Sequence, residues 1–292
     1  MTEHHPFRSA ETKEQCLAIF DAYKKSYWPI ESEDRYIETS YGKTFVRISG
    51  PKDAAPLVLL HGKSGNSLNW SKNIEELSKR FRTYAVDIID DYGLSIYSTT
   101  PKSGYDYVKW LDELFTGLHL NININLMGIS YGGWLASQYA LNFQNRLRKI
   151  VLIAPASTIL PLRPQYYIRS MLIMLPFRIF KDRFFSWLDP TAKNVQDFKE
   201  GIDLIETSIK CYKPKYSIVR PTTLNDEELK SIKCPTLFLF GEKEMIYSPG
   251  KAVNRLERIA PHIKKELIPN VGHITILQSH MVNEKIIDFL EE

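Results

Sequence analysis

At 292 residues, with 43% hydrophobic and 25% charged side chains, the sequence has the length and composition of one large globular core. Its formal net charge of +4 is diffuse, which excludes a concentrated basic footprint for nucleic acid. The longest apolar run, Met171 to Leu175, is too short to span a bilayer, so no membrane partner is expected.

The N-terminus is polar and lacks the apolar core of a signal peptide. Three cysteines without a Cys-x-x-Cys spacing argue against a disulfide framework and for a reducing, cytoplasmic setting. Cys16, Phe20, Tyr23 and Tyr27 recur at helical spacing and predict an amphipathic helix from Ser9 to Trp28. Arg35–Thr39 and Thr44–Ile48, joined by Ser40-Tyr41-Gly42-Lys43, read as a β-hairpin. From there strand and helix alternate. Strand Leu57–Leu60 ends at His61-Gly62, a helix covers Leu68 to Arg80, and strand Thr83–Ile89 runs into Asp90-Asp91-Tyr92-Gly93. A helix over Tyr107–Leu118 precedes strand Ile124–Ile129, then a helix from Gly132 to Phe143 and strand Ile150–Ile153. The basic run Arg146-Leu147-Arg148-Lys149 reads as a solvated helix terminus, where cations suit the dipole.

Between Pro155 and about Lys230 the alternation stops, and the sequence is largely helical with no clear buried strand. It resumes with strand Thr236–Phe240, a helix from Pro249 to Ile259 behind a Ser248 cap, strand Lys265–Ile268 and a final helix from about Ile276 to Leu290. Repeated βα units demand an α/β fold, a mostly parallel sheet with helices on both faces. Residues 1–154 and 231–292 would form its body, and 155–230 a helical cap or lid. That insertion would lie over the carboxyl ends of the strands, where such sheets bind ligands.

The strongest local feature is Gly128-Ile129-Ser130-Tyr131-Gly132. The pentapeptide alone is a weak sign. An apolar strand before it and a helix after it make it a strand–turn–helix elbow. There, glycines permit close approach while Ser130 sits on a strained turn as a candidate nucleophile. A serine hydroxyl needs a base to take its proton. Of seven histidines only His273, in Asn270-Val271-Gly272-His273, occupies a late strand-to-helix loop. The base in turn needs a carboxylate, expected after strand Thr236–Phe240, where the chain reads Gly241-Glu242-Lys243-Glu244. Either glutamate could serve; Glu244, deeper in the turn, is favoured. A tetrahedral oxyanion needs two backbone donors. The N–H of Tyr131 is one candidate, and the N–H of Lys63, in the turn freed by Gly62, is the other. Nothing in this chemistry calls for a metal or an organic cofactor.

These features together resemble the α/β-hydrolase superfamily over nearly the whole chain, from about Arg35 onward. The likeness rests on the elbow, the His61-Gly62 turn and the order Ser, acid, His. The resemblance implies Lys63 as an oxyanion amide. It also implies Glu244 as the acid, in a position where the family usually carries Asp. A Glu acid, an added N-terminal helix and this length are similar to bacterial carboxylesterases of the NP, or naproxen esterase, type. That likeness implies a serine esterase for small-molecule carboxylic esters, bulky aryl-propionate esters included. Relatives often carry Gly-x-Gly-x-Ser where this chain keeps only Gly93-x-Ser95, and no chemistry is expected of that loop. Apolar residues of the insertion (Tyr166, Tyr167, Met171, Met174, Phe177, Phe180, Phe184, Phe185 and Trp187) would favour uncharged esters by lining a pocket, although packing is the commoner fate of each. Cleavage of a lactone, thioester, amide or carbon–carbon bond uses the same constellation. So could a slow-turnover ligand-binding protein on this fold. Ser130 at the elbow argues against an aspartyl nucleophile.

Overall fold

A computed structural model describes residues 4–173, 175, 177–192, 196–213 and 219–292. The hairpin of β1 (Glu33–Thr39) and β2 (Gly42–Ser49) opens a nine-stranded sheet. The further strands are β3 (Pro56–Leu60), β4 (Arg82–Val86), the short β5 (Ile96–Tyr97), β6 (Ile124–Ile129), β7 (Leu147–Ile153), β8 (Thr236–Gly241) and β9 (Lys264–Ile268). Their order is β1-β2-β4-β3-β6-β7-β8-β9, with β5 paired to β2. Pairs involving β2 are antiparallel, and every pair from β4 to β9 is parallel. The expected α/β fold with a mostly parallel sheet is what forms. Central strands β3, β6 and β8 are buried almost throughout, which explains their continuous apolar runs.

Helices cover both faces. On one side lie α3 (Gly104–Gly117), α4 (Tyr131–Phe143) and α9 (Pro249–Ile259), packed through Trp110, Leu114, Trp134, Tyr139 and Leu256. On the other lie α1 (Ala10–Tyr27), α2 (Ile74–Ser78) and α10 (His280–Glu291), packed through Phe20, Leu77, Ile286 and Leu290. Between β7 and β8 the described residues form α5 (Pro164–Leu172), α6 (Arg178–Leu188), α7 (Gln196–Cys211) and α8 (Asp226–Ser231). Cys16 of α1 and Cys211 of α7 share one core, so the N-terminal helix is anchored to the interrupting segment.

Several predicted elements form differently. The helix expected over Leu68 to Arg80 is a 3-10 turn, Ser67–Trp70, followed by the short α2. Asn73, fully buried between them, commits its side-chain amide to Leu277 O at 2.9 Å and Asn283 Oδ1 at 2.7 Å. A local Ser71/Asn73 sequence competes poorly for helix while that amide anchors the C-terminal helix. The strand expected to reach Ile89 ends at Val86. Ser248 occupies the N-cap of α9 but makes no side-chain capping bond. Of the basic run only Arg146 stands at a helix terminus, the end of a 3-10 turn over Gln144–Arg146, since β7 begins at Leu147. Lys149 is buried there, its ammonium donating to Phe289 O at 2.6 Å.

Candidate active site

The elbow is where strand β6 turns into α4. Ser130 has φ 52° and ψ −113°, a strained combination for a residue with a Cβ. What imposes it is close packing. A Cβ on Gly128 would lie 2.3 Å from the carbonyl of Gly132, and one on Gly132 would lie 2.2 Å from Leu60 O. Only glycines let β3, β6 and α4 meet there. Gly132→Ala is therefore expected to destabilise the protein by at least about 2 kcal/mol, because the colliding atom is backbone and cannot swing away. The check is a urea unfolding midpoint, which should drop; an unchanged midpoint would refute the packing account.

Three of the predicted side chains meet in one line. Ser130 Oγ lies 2.9 Å from His273 Nε2, and His273 Nδ1 lies 2.7 Å from Glu244 Oε2. Glu244 is buried, and its other oxygen accepts from the amides of Met245 and Ile246 at 2.8 and 2.9 Å. Those two bonds hold the carboxylate independently of the histidine. Glu242 is exposed instead, accepting from Asn270 N at 3.0 Å. Burial alone would depress the His273 pKa. The charge of Glu244 and its hydrogen bond, with a further contribution from Asp189, outweigh this and hold it above the ordinary 6.5.

Of the two residues expected to supply oxyanion amides, Tyr131 directly follows the serine and Lys63 follows the turn that approaches it. Tyr131 is the first residue of α4, where helix geometry leaves its N–H without an intrahelical acceptor. The His61-Gly62 turn approaches Ser130 closely, as a Cβ on Gly62 would lie 3.5 Å from the serine Cβ. His61 is buried and holds this turn in place. Its Nε2 accepts from Ile88 N at 3.0 Å, and burial depresses its pKa.

The loop after β4, of which no chemistry was expected, participates in this site. Asp91 is buried, with Oδ2 3.4 Å from Lys63 Nζ and accepting from Ser64 N at 3.1 Å. The Lys63 ammonium is shut off from solvent and lies 4.8 Å above the centre of the Tyr131 ring. Burial would lower its pKa, but the charges of Asp91 and Asp90 dominate and raise it. Side chains of the two candidate oxyanion residues are thus stacked on each other by a cation–π contact. The sequence signal was available in the paired acids Asp90-Asp91, but nothing local tied them to Lys63.

Among the apolar residues of the β7–β8 segment, Phe184 and Phe185 are buried in the core, and Tyr166 and Trp187 pack against it. Tyr167, Met171 and Phe177 are exposed, and Met174 lies outside the described residues. Tyr131 Oη donates to Val219 O at 3.0 Å, and Trp134 Nε1 to Thr222 Oγ1 at 3.2 Å, so this segment is bonded directly to the first turn of α4.

Comparison with known proteins identifies the family of the fold. The family described as alpha/beta hydrolase fold matches residues 55–279. An uncharacterized carboxylesterase, nap, of Bacillus subtilis is 32% identical over 98% of this chain and 96% of its own. Carboxylesterase YbfK of the same organism is 34% identical over 95% of each chain. The crystal structure of naproxen esterase (carboxylesterase NP) from Bacillus subtilis superposes with a TM-score of 0.88 at 30% identity, over 97% of this chain and 99% of that one. The chain belongs to the α/β-hydrolase fold family, which it shares with these bacterial carboxylesterases.

Proposed function

We propose that this α/β hydrolase is a serine carboxylesterase that cleaves uncharged aryl and alkyl esters through an acyl-enzyme on Ser130. The observation that carries the reading is the continuous hydrogen-bonded line from Ser130 Oγ through the His273 ring to the buried Glu244 carboxylate. The carboxylesterase names of its relatives support the same substrate class.

In this mechanism Glu244 keeps the His273 proton on Nδ1, leaving Nε2 free to accept. Ser130 attacks the ester carbonyl as Nε2 takes its proton, and the amides of Lys63 and Tyr131 receive the developing oxyanion. The imidazolium then protonates the departing alcohol. Water, deprotonated by the same nitrogen, cleaves the acyl-serine, and Ser130 recovers its proton. Residues 155–230 act as a cap over this end of the sheet. Lys63 brings no uncompensated charge to the site, because Asp91 neutralises it, which fits an uncharged ester. Three free, buried cysteines (Cys16, Cys211 and Cys234) fit a reducing cytoplasm.

The test is a turnover panel of p-nitrophenyl butyrate, an alkyl butyrate, an anilide and a lactone, with fluorophosphonate labelling followed by peptide mapping. Sustained ester hydrolysis, well above the anilide and lactone rates, with the label on Ser130, is expected. Preference for the anilide or lactone would overturn the substrate class. Labelling of Ser130 without sustained turnover would point to a slow-turnover binding role.

A further inference from the structure

A second carboxylate stands behind His273, and it comes from the far side of the chain. Asp189 follows α6 in the segment between β7 and β8 and is 0% exposed. Its Oδ2 accepts from Ile274 N at 2.8 Å, Thr275 N at 2.7 Å and Thr275 Oγ1 at 2.9 Å. Its Oδ1 accepts from Thr191 N at 3.0 Å and Thr191 Oγ1 at 2.5 Å. Thr275 Oγ1 in turn accepts from Gly272 N at 2.9 Å. The residues on both sides of His273 are therefore pinned to one buried side chain. A Cβ at Gly272 would lie 2.2 Å from Asp189 Oδ1, so the loop has glycine where the carboxylate presses against it.

A wholly buried carboxylate is costly to hold, and an alanine or asparagine with fewer donors around it would serve simple packing. Among the described residues, the donors that satisfy it outside its own turn all belong to the loop that presents the histidine. Glu244 and Asp189 are the two carboxylates whose charges act on the His273 ring, Glu244 by direct contact and Asp189 from behind.

We propose that Asp189 is a positioning residue, a carboxylate supplied by the segment between β7 and β8 that fixes the 272–275 loop so that His273 Nε2 faces Ser130. The inference rests on the reading of His273 as the base. It makes presentation of that base depend on the seating of the interrupting helices, since α6 carries the carboxylate at its C-terminal end.

The test is a double-mutant cycle on p-nitrophenyl butyrate, with Asp189→Asn made in the wild-type and in the His273→Ala background. In wild type a fall in kcat/KM on the order of 10- to 100-fold is expected, carried by kcat, as for a small misplacement of a catalytic group. In the His273→Ala background the same substitution should change the residual rate by less than about twofold, because its target is gone. Should Asp189→Asn not fold, Thr275→Val and Thr275→Ser replace it. Valine removes the hydroxyl bridge and should reproduce the loss, whereas serine keeps it and should restore kcat. Equal fold-losses in both backgrounds would overturn the proposal, since Asp189 would then act on the molecule generally. Wild-type kcat in Asp189→Asn, or in Thr275→Val, would overturn it too. Failure of the triad reading is distinguishable, because His273→Ala alone would then retain wild-type turnover.

Discussion

Replacing Ser130 by alanine is expected to lower kcat for an aryl ester by about 10⁴- to 10⁶-fold, the range found when a serine nucleophile is removed from such a relay. The substitution deletes one oxygen whose partner is the His273 ring, 2.9 Å away. The elbow should survive, because its strain is imposed by the Gly128 and Gly132 contacts and alanine brings no larger Cβ than serine. Thermal unfolding should therefore remain close to wild type while turnover collapses. The remaining rate would come from the oxyanion amides and substrate binding alone, neither of which needs His273. For the same reason the loss should be non-additive: Ser130→Ala with His273→Ala should be scarcely slower than Ser130→Ala alone. Steady-state kinetics with a melting curve on each variant decides the matter. Unchanged ester turnover by Ser130→Ala would remove the nucleophile assignment, and additive losses would mean that the two side chains do not work as a unit.

Ser130 and His273 were legible because each is marked by its immediate neighbours. Glycines and a strand-to-helix switch surround the serine, and a turn between the last strand and helix carries the histidine. The acid was legible only to within two residues. Glu242 and Glu244 occupy one turn, and what separates them is the length of β8. That strand runs through Gly241, so the turn directs Glu242 outward to Asn270 N and folds Glu244 into the core. The role of Asp189 was not legible, and Asp91 was visible only as one of two paired acids, because the partners that matter are distant in the chain. Asp189 bonds residues 85 and 86 positions away, and Asp91 meets Lys63 and Ser64 across two strand ends. Long-range ties of this kind also account for broken helices. The final helix, expected from about Ile276, instead forms a 3-10 turn, Thr275–Gln278, before α10 begins. The Ile274 and Thr275 amides are held by Asp189, and Ser279 is extended between the two elements. Periodicity reports which face is buried, but it cannot report that a backbone amide is already committed elsewhere.

Glu244→Gln should change both the height and the position of the pH–rate profile. In the wild type the active form of His273 is neutral, and its pKa stands above 6.5 because Glu244, with Asp189, outweighs the cost of burial. Activity is therefore lost as pH falls, and the acid limb of kcat/KM should have its midpoint above the ordinary imidazole value of about 6.5. Glutamine keeps the shape of the side chain and can still accept from Met245 N and Ile246 N through its carbonyl oxygen. Its amide nitrogen would then face His273 Nδ1 as a donor. The ring must answer by carrying its proton on Nε2, the tautomer that cannot accept from Ser130. A plateau loss of about 10³- to 10⁴-fold is expected from that reversal. The residual activity should show an acid limb displaced to lower pH, since a negative charge 2.7 Å from the ring has been removed. Asp189 remains in place, so the displacement stops short of what burial alone would produce. Glu242→Gln is the matched control: its carboxylate is exposed and bonded to Asn270 N, and both plateau and midpoint should stay at wild-type values. If Glu244→Gln kept its plateau while Glu242→Gln lost it, the acid would have to be reassigned. If the limb moved upward in Glu244→Gln, the electrostatic account of the His273 pKa would be wrong in sign.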